Sequence, residues 1–243
     1  MTLLEVLVHQ YAYSKDQAQK MIMAGLVLVN ETVVIVGSTN VKTTDQIRIK
    51  TTKKWVSRGA YKLLAALEKF AIDVQGKICL DIGASTGGFT QVLLAAGAKL
   101  VYALDVGTNQ LDYRLRQNKQ VVVWEKTHFK TIKPAMFDHL IDLIVCDVSF
   151  TSVTWLFPVL EQAILSSDAQ LIILIKPQFE AAAKLVQTGG VVNFEHHQAI
   201  IDKIVSTAKK SGFILQDYFV SPIVGQKSKN QEYLAWFKKF KGC

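Results

Sequence analysis

Residues 78–90, Ile-Cys-Leu-Asp-Ile-Gly-Ala-Ser-Thr-Gly-Gly-Phe-Thr, constrain the fold more tightly than any other stretch. Residues 78–82 are an apolar run after Gly76, interrupted by a single acid, Asp81. That is the pattern of a strand buried on both faces of a parallel sheet. Gly83, Gly87 and Gly88 follow at once, and residues 89–96 open a helix. Missing side chains let a ligand approach the backbone, and the start of a helix offers free N–H groups. Strand, turn and helix together predict half of a nucleotide-type pocket.

Three chemistries use such a turn. Gly83-x-Ser85-x-x-Gly88 is a dinucleotide fingerprint with serine in place of the middle glycine. Gly83-x-Ser85-x-Gly87 fits the nucleophile elbow of serine hydrolases. Asp81-x-Gly83-x-Ser85-x-Gly87, with its acid just before the turn, looks like the first motif of S-adenosylmethionine (SAM) methyltransferases. The turn alone does not choose among them.

Composition narrows the setting. Half of the residues are hydrophobic, enough for a substantial core, yet no apolar stretch reaches the roughly 18 residues of a membrane span. The N-terminus has neither a basic start nor a long apolar run, so no signal peptide is expected and a cytoplasmic location is. Three scattered cysteines, Cys79, Cys146 and Cys243, argue for a reducing compartment and against a disulfide framework or a zinc site. The net charge of +8 favours a polyanionic partner. Residues 1–50 carry five basic and four acidic side chains, a net of +1, which leaves +7 on the remainder.

Residues 1–50 read as a small α+β module. Leu3, Leu4, Leu7 and Val8 recur at helical spacing, and Ser14 caps a second helix with Ala18, Met21 and Ile22 on one face. Gly25 ends it. Residues 26–34 read as strand, turn and strand, and 45–50 as another strand. Residues 51–56 are the expected linker, and 57–243 a second domain. That domain opens with a helix striped by Leu63, Leu64, Leu67 and Phe70, with Lys62 at its start, where a cation opposes the helix dipole. Beyond the glycine turn, strands are expected at 100–105, 121–125, 142–147 and 170–176, with late strands at 213–220 and 232–237. Helices are expected between them, at 155–165 and 197–210 among others, and turns at Ser221-Pro222 and Gly225. The alternation predicts an α/β fold, a mostly parallel seven-stranded sheet with helices on both faces.

Ligands in open α/β sheets sit beyond the carboxyl ends of the strands. Those ends carry Asp81, Asp105, Glu125, Asp147 and Lys176. Buried charges are costly without partners, so five in register point to a site. Asp105 follows Asp81 by 24 residues, near the spacing at which an acid meets the ribose hydroxyls of a bound nucleotide. A serine hydrolase finds its order in Ser85, Asp147 and His196 but lacks an oxyanion loop. A dehydrogenase explains the turn and Asp105 but not Lys62, Asp147, Lys176 and Glu232.

The small module resembles the S4 RNA-binding domain in its order of leucine-rich helix, Ser-Lys-x-x-Ala helix, Ala-Gly and Val-x-Val-Asn. Across nearly the whole chain, Ser57-Arg-Gly-Ala-Tyr-Lys62, Leu80-Asp-Ile-Gly-Ala-Ser-Thr-Gly-Gly-Phe-Thr90, Asp105-Val-Gly, Cys146-Asp-Val-Ser-Phe150, Lys176-Pro-Gln-Phe-Glu180 and Gly189-Gly-Val-Val192 look like the TlyA family. Its members are S4-containing, FtsJ-like 2′-O-ribose methyltransferases of ribosomal RNA, often labelled haemolysin A. The resemblance implies a Rossmann-like SAM-dependent domain and a Lys-Asp-Lys-Glu tetrad at Lys62, Asp147, Lys176 and Glu232. It implies SAM contacts from Asp81, Gly83, Ala84, Ser85, Thr86, Gly87, Gly88, Phe89, Asp105, Val106, Glu125 and Asp147. RNA contacts are expected from Lys15, Lys20, Lys53, Lys54 and Arg58. The partner would be ribosomal RNA or a ribosomal subunit, without stable membrane association. The short termini resemble the subgroup associated with large-subunit RNA, which implies a cytidine acceptor there. A membrane-active haemolysin and a non-catalytic RNA-binding assembly factor are the rival readings.

Two features bear on the chemistry. Methyltransferases of exocyclic amines often carry a Pro-Pro-aromatic turn at the end of strand four; Asp147-Val-Ser-Phe150 lacks both prolines, which favours a hydroxyl acceptor. Lys176, expected beside that hydroxyl, could act as a base if a second cation such as Lys62 lowered its pKa, or as a cation that stabilises the alkoxide. The residues leave both roles open.

Overall fold

The computed structural model describes residues 1–50, 54–223 and 230–240. The chain divides into two compact units, Met1–Lys54 and Trp55–Cys243.

In the first unit, helices α1 (Leu3–His9) and α2 (Lys15–Met23) each begin with a capping box, Thr2 with Glu5 and Ser14 with Gln17. Each box satisfies helix N–H groups that would otherwise lack partners. Strands β1 (Val27–Val29), β2 (Thr32–Val33) and β3 (Ile47–Ile49) form an antiparallel sheet in the order β2-β1-β3. Leu3, Val6, Leu7, Ala18, Ile22, Val27 and Val41 close a small core between helices and sheet. The third strand is shorter than expected because Asp45 turns the chain, accepting from the Lys42 N–H and the Asn30 side chain.

The second unit is organised around a seven-stranded sheet in the order β6-β5-β4-β7-β8-β10-β9. Its strands are β4 (Ile78–Ile82), β5 (Leu100–Leu104), β6 (Val121–Trp124), β7 (Ile141–Cys146), β8 (Leu165–Ile175), β9 (Phe213–Val220) and β10 (Tyr233–Lys239). The first five are mutually parallel, and β10 runs antiparallel between β8 and β9. Alternate residues feed two cores, as the two-residue period of a strand requires. On one face Leu80, Ile144, Leu171 and Ile173 meet α6 (Leu156–Glu161) and α8 (His197–Lys210). On the other, Cys79, Leu143, Val145 and Ile172 meet α3 (Gly59–Lys69) and α4 (Gly88–Ala95). Two further short helices are α5 (Tyr113–Arg116) and α7 (Pro177–Glu180).

Two expectations need correction. The helix over 155–165 is only Leu156–Glu161 after a 3₁₀ turn at Val153–Trp155, because Leu165 already pairs with Ile141 at the start of a longer β8. Ile164 and Leu165 pack in the same apolar core as the helix, so their pattern does not mark the boundary. Of the expected linker, residues 51–53 and with them Lys53 lie outside the described residues. Trp55 is buried in the core of the second unit, and the Val56 N–H donates to Gln91 on α4 at 2.8 Å. The turn expected at Gly225 also lies outside the described residues.

Candidate active site

The strand order reverses between β4 and β7, and at such a switch point the carboxyl ends diverge into a crevice. The ends nearly touch. The Asp147 N–H donates to the Ile82 carbonyl at 3.0 Å, and Gly83 has φ +83°. A Cβ on Gly83 would lie 2.6 Å from the Asp147 carbonyl oxygen, so no side chain is tolerated there. Gly88 serves another approach: its Cβ would meet Ser57 Oγ at 2.1 Å and the Ala60 nitrogen at 3.1 Å. Glycine there lets the start of α3 lie against the start of α4, which brings Lys62 to the crevice.

A cavity of about 650 Å³ opens at this point. Gly83, Ser85, Asp105, Val106 and Asp147 line it, joined by His128, Phe129, Ser149 and Phe150. Its size is that of a small-molecule site. Asp105 braces the turn, accepting the Ser85 N–H at 2.8 Å and the Gly107 N–H at 2.7 Å. Asp81 lies fully buried at the base of the turn. Thr90 Oγ1 donates to one carboxylate oxygen at 2.6 Å, and the other has no hydrogen-bond partner. Burial pushes its pKa up to about 7; the Thr90 bonds oppose the rise, and Asp147 and Asp105 add to it. Asp81 lies behind the turn and does not itself line the cavity; its unpaired acceptor suits a ligand that carries an ammonium group, as SAM does.

On the other side of the crevice four charges from distant segments meet. Lys62 Nζ lies 2.7 Å from Glu232 Oε2 and 3.7 Å from Asp147 Oδ2. Lys176 Nζ lies 2.5 Å from Asp147 Oδ1, off the direction of a hydrogen bond, and donates to Ser149 Oγ at 2.9 Å. Lys62, Lys176 and Glu232 are each less than a tenth exposed. The order in space is Lys176, Asp147, Lys62, Glu232, with alternating signs. Each buried charge therefore touches an opposite one, which burial of ions requires. Glu232 is braced from behind. Asn230 accepts the Val192 N–H at 2.9 Å and donates to the Gly190 carbonyl at 2.7 Å. His197 lies between Tyr233 OH (2.8 Å) and the Val192 carbonyl (3.1 Å), so its Nε2 carries the proton and Nδ1 accepts from the tyrosine.

Other candidates lie elsewhere. Glu125 does not line the cavity; it is part-buried, and Arg116 grips its carboxylate, with Nη2 at 2.5 Å, holding its pKa below the usual range. Ala84, Thr86, Gly87 and Gly88 shape the turn without forming the cavity wall, and Phe89 is buried in the core beneath it. Lys15, Lys20, Lys54 and Arg58 are exposed, and Lys20 pairs with Asp16 at 2.7 Å. Ser149, which both lines the cavity and contacts Lys176, was not singled out by sequence reasoning; its place two residues after Asp147 was the available signal.

Residues 55–239 match the model of the FtsJ-like methyltransferases, and residues 1–47 that of the S4 domain. A Mycobacterium tuberculosis relative named 16S/23S rRNA (cytidine-2′-O)-methyltransferase TlyA is 40% identical over 230 residues, 93% of this chain and 85% of that protein. The chain belongs to the TlyA family. A second relative of this chain, named Hemolysin A, from Brachyspira hyodysenteriae, is 44% identical over 229 residues, 93% of this chain and 95% of that protein. A solved structure of a Streptococcus thermophilus protein described as a hemolysin has a TM-score of 0.75 at 36% identity, covering 100% of this chain and 89% of that one. As a TlyA-family chain it carries the methyltransferase fold, and among its described residues no helix is long and apolar enough to cross a membrane.

Proposed function

We propose that this protein methylates the ribose 2′-hydroxyl of a cytidine in ribosomal RNA, with large-subunit RNA as substrate and SAM as methyl donor. The observation that carries the reading is the alternating cluster of Lys62, Asp147, Lys176 and Glu232 beside the cavity of the glycine turn. The names of the relatives and the S4 match support RNA as the acceptor.

SAM, when bound, supplies a methyl group on a sulfonium, which a nucleophile displaces in line. Gly83, Ser85, Asp105, Val106 and the unpaired oxygen of Asp81 are the residues proposed to hold it. Lys176 touches two side chains that line the cavity, Asp147 and Ser149, which supports a role for its ammonium beside the acceptor. The charge nearest to Lys176 is a carboxylate, and that carboxylate separates it from Lys62. The geometry therefore favours the cationic role over the basic one. Lys176 stabilises the oxyanion as the new C–O bond forms, and the hydroxyl proton leaves to water. Preorganised stabilisation of this kind is worth about 3–4 kcal/mol. Asp147 and Glu232 hold the two ammonium groups in place.

The test is methyl transfer from labelled SAM to ribosomal RNA, followed by mass-spectrometric mapping of ribose methylation. The expected product is one 2′-O-methylcytidine in large-subunit RNA, lost when the target carries a 2′-deoxyribose. Transfer to the deoxy substrate overturns the ribose assignment, and no transfer to any ribosomal RNA leaves an RNA-binding factor.

A further inference from the structure

Phe150 is a paradox of placement. The residue is 91% exposed at the cavity wall, and its backbone has φ +63°. A bulky residue rarely adopts that conformation, which costs on the order of 1–3 kcal/mol and persists only where the surroundings enforce it. The loop that holds it, residues 147–152, is pinned at both ends. At its start Lys176 contacts Asp147 and Ser149. At its end Glu180 accepts the Ser152 hydroxyl on Oε2 at 2.5 Å and the Val153 N–H on Oε1 at 2.8 Å. Lys176 is the N-cap of α7 and Glu180 its last residue, so one short helix grips both ends of the loop. Phe179 on that helix contacts the Phe150 ring at 5.1 Å between centroids.

Glu180 is only 4% exposed, and burial raises its pKa. Its neighbours account for it fully: both carboxylate oxygens are committed to the loop, and Lys203 lies near its backbone carbonyl at 3.5 Å. A buried acid is an expensive way to hold a turn that a neutral residue could cap, unless the position of the loop matters.

We infer that Glu180 is a positioning residue for methyl transfer: it clamps the end of the 147–152 loop and so fixes Asp147, Ser149 and Phe150 relative to Lys176. It acts through the loop and touches no reacting atom. The inference rests on the proposed methyltransferase reading, and its effect falls on the acceptor side alone. Misplacement of reacting groups by about 1 Å costs roughly 10²-fold in rate.

The experiment compares Glu180→Ala, Glu180→Gln and Ser152→Ala with the unaltered protein in SAM titrations, single-turnover RNA methylation and crystal structures. Glu180→Ala is expected to lower the single-turnover rate 10- to 100-fold while the SAM Kd stays within twofold, and to release Phe150 to negative φ. Glu180→Gln is expected to restore most of the rate, because its amide oxygen accepts the Val153 N–H and its NH₂ group donates to Ser152. Ser152→Ala, which breaks one of the two bonds and keeps the fold if Glu180→Ala fails to fold, is expected to lower the rate 3- to 10-fold. Glu180→Ala or Ser152→Ala at unaltered rate overturns the inference, as does a parallel loss of SAM affinity, the mark of a merely structural role. If the unaltered protein methylates no RNA, the proposed function fails. The crystal structures then decide alone, and Phe150 retained at positive φ in the variants overturns the clamp.

Discussion

The glycine-turn wall of the crevice is made of backbone, whereas the facing side is a cluster of four side chains from four distant segments, of which Asp147 lines the cavity and the other three stand behind it. The first is contiguous, from Asp81 to Thr90, and its closest approach is a missing Cβ at Gly83 against the Asp147 carbonyl. The second joins residues 170 apart in sequence, Lys62 and Glu232, by a single ion pair. The difference teaches which insults each wall resists. The backbone wall should tolerate changes of charge nearby and fail on the addition of a methyl group. The side-chain wall should tolerate changes of shape and fail on the loss of a charge, since an unpaired buried ion is the costly state.

Lys176→Ala breaks the side-chain wall at its link to the chemistry. The expected loss in turnover is about 10²–10³-fold, the cost of one preorganised donor to a developing oxyanion. SAM binding, measured by calorimetry, is expected within about twofold of the unaltered protein, because the turn on the opposite wall is intact. Comparable losses in affinity and turnover would show that the walls are not separable.

Gly83→Ala breaks the backbone wall. The positive φ costs about 1–2 kcal/mol for any residue with a Cβ, and the contact with the carbonyl oxygen adds to it. The strands must part at Asp147, so SAM affinity is expected to fall at least about tenfold and thermal stability by several degrees. A variant with normal melting and SAM binding would mean that the approach of β4 and β7 has more room than the 2.6 Å contact implies.

Asn230→Ala tests the brace behind the side-chain wall. Two groups of the 189–192 segment, the buried Val192 N–H and the part-buried Gly190 carbonyl, lose their partner. Each unsatisfied group costs about 1–3 kcal/mol. Glu232, two residues on, loses its support, and turnover is expected to drop about tenfold with SAM affinity unchanged. Equal turnover would place the support of Glu232 on β10 alone.

The same contrast explains what was legible in the sequence. The turn wall could be read because its cause is local: an apolar run, an acid, and glycines within ten residues. Strand boundaries at Ile78–Ile82 and Phe213–Val220 and the helix His197–Lys210 agree with the pattern for the same reason. In the side-chain wall Asp147 and Lys176 could be read as strand ends, but their grouping with Lys62 and Glu232 came only through a resemblance, since no periodicity relates Lys62 to Glu232. The brace at Asn230, His197 and Tyr233 was invisible, because three of its four hydrogen bonds span 36 to 40 residues, and all but the His197–Tyr233 bond end on a backbone group that every residue possesses. Glu125 illustrates the converse. It ends a strand in register with the other acids, yet Arg116, nine residues earlier, captures it.

The smallest effect lies in pH, and it sharpens the comparison because it belongs to the backbone wall. Asp81 is pushed up to about 7 in the folded protein by burial, against the ordinary carboxylate value it takes when unfolded. Between those values the folded state holds a proton that the unfolded state has released, so stability contributed by this group is greatest at low pH and falls as pH rises toward 7. A ligand ammonium reverses the preference, because it pairs with the ionised form. SAM affinity is therefore expected to rise with pH between about 6 and 8, by at most tenfold per unit, with proton release on binding. Asp81→Asn removes the titration: its affinity is weaker at pH 8 and flat across the range, and its stability no longer declines over the same window. Of the side-chain wall Asp147 adds to the rise at Asp81 and Glu232 is not among its causes, so Glu232→Gln is expected to retain the profile. A pH-independent SAM affinity in the unaltered protein would mean that Asp81 meets no cation and that its free oxygen is satisfied in some other way.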